Sequence, residues 1–237
     1  MLYIMEYIVS SFNNNPKFNA IEKTLHILSI FSMDNPSMSL VEICAKTQFN
    51  QSTTYRILQT LIQYGYIIRT SDKNYCIGTQ PVYLSAVYEH EHHLTQIRPI
   101  VDSIRDECNE TSSFQIEENN SRICIYRAHS KDRIRHHIEQ GARLELNRGA
   151  AGRIILAYGQ RKNDHSGFFY EIRKKGFYIS INEHNASLFA IAIPVITKNQ
   201  QFVGALTVSG PIDRWSEKKG EILLKLLYNN REQMEIV

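Results

Sequence analysis

The chain has 237 residues, 43% of them hydrophobic, and a formal net charge of +3. That is enough apolar material for two modest folded domains and too much for a disordered chain. The mild basic excess permits an anionic partner such as DNA, but it excludes the charge density of a polybasic tail. No apolar run approaches the roughly 18 to 20 residues needed to span a bilayer.

The opening stretch, MLYIMEYIVSSFNNNP, has no positive n-region and no A-x-A-like cleavage site, so a cytoplasmic protein is expected. Its Asn-rich end breaks regular structure, and residues 1–17 are expected to be a flexible extension. Cys44, Cys76, Cys108 and Cys124 are scattered, with no C-x-x-C pair. They read as free, reduced thiols.

Helical periodicity begins at NAIEKTLHILSIFS, with Asn19 and Glu22 as a capping box and Ile21, Leu25, Leu28 and Phe31 on the expected inner face. After the turn MDNPSM, SLVEICAKT offers a second box, Ser39 with Glu42, and an inner face of Leu40, Ile43 and Cys44. Asn50 can cap a third helix whose apolar positions are Ile57, Leu58, Leu61 and Ile62, and Gly65 ends it. Strand-like runs at Tyr66 to Arg69 and Tyr75 to Ile77 flank the polar turn TSDKN.

This order predicts a winged helix-turn-helix over residues 18–79. In such a unit the third helix enters the major groove by its amino end and the hairpin reaches the backbone. The candidate groove contacts are Gln51, Ser52, Thr53, Thr54 and Arg56; the candidate wing contacts are Arg69, Lys73 and Asn74. Small polar side chains let a helix approach base edges closely, while Arg56 adds charge or a bidentate donor. Between Lys17 and Gln80 there are six basic and four acidic residues, a surplus of two. That weak surplus keeps a protein-docking role for the helix-turn-helix in view, and little salt dependence would be its mark.

Residues 80–94 read as a linker helix. TQIRPIVDSIRDECNE is a further amphipathic helix, with Ile97, Val101, Ile104 and Cys108 at helical spacing. TSSFQIEENNSRICIYRAH alternates and breaks at Glu118 to Ser121, as a β-hairpin does, and IRHHIEQGARLEL is expected to continue as strand, with His136 and His137 in it. GAAGRIILAYG becomes a helix, GFYISIN, FAIAIPVIT and QFVGALTVSGP are strands, and the chain closes on an amphipathic helix. Residues 95–237 thus predict an antiparallel sheet flanked by helices, and the whole an α+β fold.

The run EHEHH, Glu89 to His93, could gather metal ligands on one helix face, but a solvated helix end is the plainer reading. No metal and no cofactor are predicted. Neither G-x-S-x-G nor G-x-x-x-x-G-K-[ST] occurs, so an enzyme is not expected. The remaining catalytic alternative is a thiol enzyme using Cys108 or Cys124, which would need an accessible thiolate.

The stretches SLVEICAKT, STTYRILQTLIQYGYI, GARLELNRGAAGRIILAY and FAIAIPVITKNQQFVGALTVSGP, in this order and spacing, resemble the IclR family of bacterial transcriptional regulators from about Phe18 to the C-terminus. The resemblance implies a dimerising winged helix-turn-helix, a linker helix, and a GAF-like effector-binding domain that often pairs dimers into tetramers. The partners implied are operator DNA with an inverted repeat and a small-molecule effector. It places the effector among residues matching Leu144, Leu146, Ala150, Ala151, Ser180, Leu188, Ala190, Thr207 and Ser209. Three positions depart from the family pattern: Asn147 stands where histidine is common, Arg148 where a small residue is common, and Ser180 where an acid often lies. An added arginine near a lost carboxylate favours an anionic effector, a small carboxylate.

Overall fold

The computed structural model describes residues 18–91, 94–136, 138–183 and 187–232. The chain divides into two compact units that part between residues 92 and 93. The predicted extension over residues 1–17 lies outside the described residues.

In the first unit both capping boxes form. Asn19 accepts from the Glu22 amide at 2.9 Å while Glu22 accepts from the Asn19 amide at 2.7 Å, opening α1, Ala20–Ser29. Ser39 and Glu42 repeat the exchange at 3.3 and 2.7 Å to open α2, Leu40–Thr47. Asn50 accepts from the Thr53 amide at 2.8 Å and starts α3, Gln51–Gln63. Each cap satisfies an amide that the first helical turn leaves without an internal partner. Gly65, at φ 74°, lets the Tyr66 amide reach back to the Leu61 carbonyl and stop α3.

A three-stranded sheet completes the unit: β1 (Ser37–Met38), β2 (Ile67–Arg69) and β3 (Tyr75–Ile77), in the order β1-β3-β2. β1 falls where only a turn is expected, and Met38 pairs with Tyr75. The core joins Ile27, Ile30, Met38, Ile43, Leu58, Leu61, Ile67 and Tyr75.

The inner face expected for α1 is only half right. Leu28 and Phe31 pack on the core, but Ile21 and Leu25 are 72% and 61% exposed while Ile27 and Ile30 are buried. At 100° per residue the helix carries two apolar stripes, and periodicity alone cannot say which one faces in. Past Gly78 comes α4, Gln80–Glu91, which leaves Val82, Tyr83, Leu84 and Val87 exposed.

The second unit starts with α5, Leu94–Cys108, which buries Leu94, Ile97, Ile100, Val101 and Ile104. β4 (Thr111–Glu118) and β5 (Ser121–Ala128) form the expected hairpin. Its turn residues Asn119 and Asn120 both have positive φ, 51° and 59°, as a tight hairpin turn that follows the strand twist requires. Then follow β6 (Arg143–Glu145), α6 (Gly149–Tyr158), α7 (Gly167–Lys175), β7 (Tyr178–Ile181), β8 (Leu188–Ile196), β9 (Phe202–Pro211), a 3-10 turn (Ile212–Arg214) and α8 (Glu217–Glu232).

The sheet is antiparallel with strand order β6-β5-β4-β9-β8-β7. α5 and α8 pack together across one face; α6, with α7 against it, covers the other. A core of Leu146, Ala150, Ala151, Ile154, Ile155, Ala192 and Ala205 sits beneath α6.

One expected strand is mostly absent. Only Arg143–Glu145 of the stretch IRHHIEQGARLEL pairs with β5; His136 lies in irregular chain, and His137 lies outside the described residues. Gly141, at φ 81°, bends the approach while its amide and that of Cys124 bond across to β5 and Ala142. That leaves the segment before it free to cross over the sheet.

Candidate functional site

On α3 the exposed face is formed by Gln51, Ser52, Tyr55, Arg56 and Gln59, with Thr53 half-buried at its edge. Thr54 is not part of it. It is fully buried and donates its hydroxyl to the Asn50 carbonyl at 3.1 Å, because positions 54, 58 and 61 share the inner face of the helix. The expectation that Thr54 reaches DNA is therefore corrected: it anchors the helix from inside. Tyr55, 44% exposed, takes its place on the outer face. The signal was available, since 55 lies four residues after 51.

On the hairpin, Arg69 and Lys73 are exposed, and the Arg69 guanidinium lies 5.6 Å from the Tyr75 ring centre. Asn74 is half-buried and works within the turn: its carbonyl accepts from Thr70, and its amide donates to Asp72 at 3.1 Å.

In the second unit a small cavity, open to solvent on one side, is lined in part by the first residues of α6. Ala150, Ala151, Ser180, Leu188, Ala190, Thr207 and Ser209, all singled out above, line it. Strand register brings three of them into one row: Ser180 pairs with Ala190, and Ala190 with Ser209. Leu144 and Leu146 are not in the lining. Leu144 sits opposite Arg122 in the ladder, and Leu146 is buried beneath α6.

Gln115, Arg122, His136, Gly149 and Phe189 complete the wall. Gly149 and Phe189 fall within stretches that the family resemblance already places in the wall, residues 147–153 and 188–190; Gln115, Arg122 and His136 were not foreseen, because β4, β5 and the crossing segment meet the site only in the tertiary fold. His136 Nδ1 lies 2.9 Å from Ser209 Oγ, tying that segment to β9.

Arg148 is exposed and pairs with Glu145 at 3.4 Å, outside the cavity wall, so it does not supply the cationic contact expected of it. The buried cation at the cavity is Arg122, 4% exposed. Its Nη1 donates to Gln115 Oε1 at 2.7 Å.

Gly152 fixes how α6 enters the site. A Cβ at this position would stand 2.2 Å from the Leu146 carbonyl oxygen. Gly152→Ala is expected to destabilise the fold by about 1 to 3 kcal/mol, despite alanine's better helix propensity, because a backbone carbonyl cannot yield as a side chain end would. Thermal unfolding of the variant checks this; an unchanged or raised Tm contradicts it.

Burial pushes the Cys108 and Cys124 thiols above their ordinary pKa, which opposes the thiolate that a nucleophile requires. His92 and His93 of the EHEHH run lie outside the described residues. Among the described residues no group of three metal-ligating side chains comes together, and no helix is long and apolar enough to cross a membrane.

Comparison with known families now bears on this geometry. The IclR helix-turn-helix domain matches residues 20–71. The bacterial transcriptional regulator IclR C-terminal domain matches residues 86–169 and 166–234. The chain belongs to the IclR family. Among IclR relatives, the transcriptional repressor IclR of Escherichia coli K12 is 21% identical, with 84% of this chain and 82% of that protein covered. The HTH-type transcriptional regulator KipR of Bacillus subtilis is 20% identical, with 86% and 90% covered. The IclR structure of Thermotoga maritima aligns at TM-score 0.77 and 19% identity, covering 92% of this chain and 97% of that one. An IclR homolog of Microbacterium hydrocarbonoxydans, solved with 4-hydroxybenzoate, aligns at TM-score 0.75 and 14% identity, covering 92% and 100%. At such identities the IclR structures establish the fold, a helix-turn-helix region followed by an antiparallel sheet with helices. The IclR relatives are named as transcriptional regulators and repressors.

Proposed function

We propose that this IclR-family chain is a ligand-responsive transcription factor whose operator affinity is set by a small organic or aromatic acid held in the cavity at the first residues of α6. The observation that carries the DNA-binding half is the outer face of α3. Gln51, Ser52, Tyr55 and Arg56 stand exposed on a capped helix whose other side is locked into the core by Thr54, Leu58 and Leu61. In this reading that face enters the major groove, with Thr53 at its edge, and Arg69 and Lys73 meet the phosphate backbone.

The functional unit is a homodimer, and a dimer of dimers is the larger assembly. The exposed apolar side chains of α4, with Ile21 and Leu25 of α1, favour association. Two copies present two recognition helices to the half-sites of an inverted repeat. The acid effector is favoured by the buried Arg122 and by the 4-hydroxybenzoate bound to the Microbacterium homolog. Effector and operator each prefer one arrangement of the dimer, so either changes the affinity of the other by the same factor. The linker expected over residues 80–94, of which α4 forms the described part, is the coupling element in this reading. As a DNA-binding regulator it would act in the cytoplasm.

Selection of bound sequences from a random DNA pool, at two salt concentrations, tests this reading. A short inverted repeat should emerge, bound more weakly at the higher salt, because releasing counterions from the phosphates gains less free energy when the bulk already holds more of them. Folded protein that enriches no sequence, alone or with a panel of organic acids, would leave the docking role in its place.

A further inference from the structure

Arg122 is placed where a cation has little to hold it. The side chain leaves β5 in the interior of the sheet and is 4% exposed. Gln115 Nε2 donates to Ser113 at 2.9 Å, turning its Oε1 toward Arg122 Nη1. Arg122 Nε makes a longer contact, 3.4 Å, with the Glu145 carbonyl. Nη2 is buried with no acceptor among the described residues. Of the groups that act on it, Arg127 carries a like charge and Cys124 is a buried thiol, and burial draws its pKa down to about 10. It is still protonated at neutral pH. A buried charge without a counter-ion is among the costliest arrangements a fold can hold.

Two further features of the same cavity suit an anion. Thr207 Oγ1 is buried with no hydrogen bond among the described residues. α6, ten residues long, begins without a side-chain cap from Arg148, and its first residues line the cavity. Uncapped amides at a helix N-terminus carry partial positive charge. The remaining wall includes the apolar Leu188, Phe189 and Ala190.

We propose that Arg122 is the group that recognises the ligand's charge: a carboxylate enters the cavity, accepts hydrogen bonds from the free Nη2 of Arg122 and from Thr207, and sets its apolar body against the β8 wall. This rests on the cavity being the effector site, and it names the feature read there. One unpaired cation selects a monoanion. An amide or alcohol of the same skeleton leaves the guanidinium unneutralised and is rejected, because a buried polar group left unpaired penalises the analogue that cannot pair it.

The test uses the full-length chain and Arg122→Met, which keeps much of the side chain's length without its charge. Unfolding is followed at constant ionic strength with formate, pyruvate, benzoate and 4-hydroxybenzoate, each beside its uncharged amide. In the wild type at least one carboxylate should raise Tm by several degrees, since a ligand that binds only the folded state stabilises it, while its amide does not. In Arg122→Met that rise should vanish, and the unliganded variant should melt no lower than the wild type. Arg122→Lys retains the charge without the fork and should bind the same acid roughly tenfold more weakly. The proposal is overturned if no carboxylate moves the wild-type Tm, or if the rise is equal in wild type and Arg122→Met. Operator binding by the wild type is measured separately. A charge-selective response in a protein that binds no DNA would sink the regulator reading and keep this one; DNA binding with no charge-selective response would do the reverse.

Discussion

Glu110→Ala should lower the stability of the second unit by about 2 to 3 kcal/mol. Glu110 is 1% exposed, and both of its oxygens are taken. Arg214 donates to it from Nε and Nη2 at 2.9 and 2.7 Å, and Lys219 donates to Oε1. Removing one partner of a buried ion pair typically costs about 3 to 5 kcal/mol, because the other charge is left behind. Here the remaining cations are 29% and 27% exposed, and Arg214 also reaches Asp132 at 3.0 Å, so solvent and that second acid soften the loss. For a unit of this size the change corresponds to a fall in Tm of about 5 to 10 °C. A fall below about 2 °C would mean that the triad behaves as an ordinary surface cluster.

The same substitution should reach the cavity. Arg214 holds the Ile134 carbonyl at 3.3 Å as well as Asp132. Two residues on, His136 closes over Ser209. Lys219 lies 5.8 Å from the ring centre of Phe189, a cavity wall residue. Loss of Glu110 therefore loosens the segment that carries His136, and any ligand response should weaken along with stability. Glu110→Gln, which keeps the shape and one acceptor, should lose less of both.

Arg56→Ala should weaken operator binding by about 1 to 3 kcal/mol, a factor of roughly 5 to 150, with little change in Tm. Arg56 is exposed on α3, so its removal leaves no buried group unpaired. Arg56→Lys separates two kinds of contact. If the guanidinium grips a guanine edge with both prongs, lysine will not replace it and discrimination at one base pair will relax. If it meets a phosphate, lysine will largely restore binding, and the alanine variant will show a salt slope reduced by about one. A folded Arg56→Ala variant with the wild-type dissociation constant would remove Arg56 from the interface. Thr54→Ala gives the contrast: buried and bonded to the Asn50 carbonyl, it should lower stability first and DNA affinity only through it.

What the sequence determined by itself is local. Asn19 with Glu22, Ser39 with Glu42, and Asn50 declare three helix starts, because a cap and its target amide are only three residues apart and need no help from the rest of the chain. Asn119 and Asn120 declare the β4-β5 turn for the same reason. The helix-turn-helix and the α+β class follow from such short-range rules together with apolar periodicity, whereas β1, α7 and the shortness of β6 did not show in them.

Only the tertiary structure decided which faces those elements turn inward and which side chains meet. α1 has two apolar stripes and α3 an unbroken polar run, so the burial of Ile27 rather than Ile21, and of Thr54 among its polar neighbours, depends on what packs against them. The cavity depends on long-range pairing still more. Ser113 lies against Thr207 and Ser112 against Val208 across more than ninety residues of chain, and those pairings bring the β4-β5 hairpin, with Gln115 and Arg122, beside the β8-β9 wall. No local pattern distinguishes Arg122 from an arginine on a solvated strand. Its burial beside the cavity, with one end of the guanidinium left without an acceptor among the described residues, is what makes it a candidate.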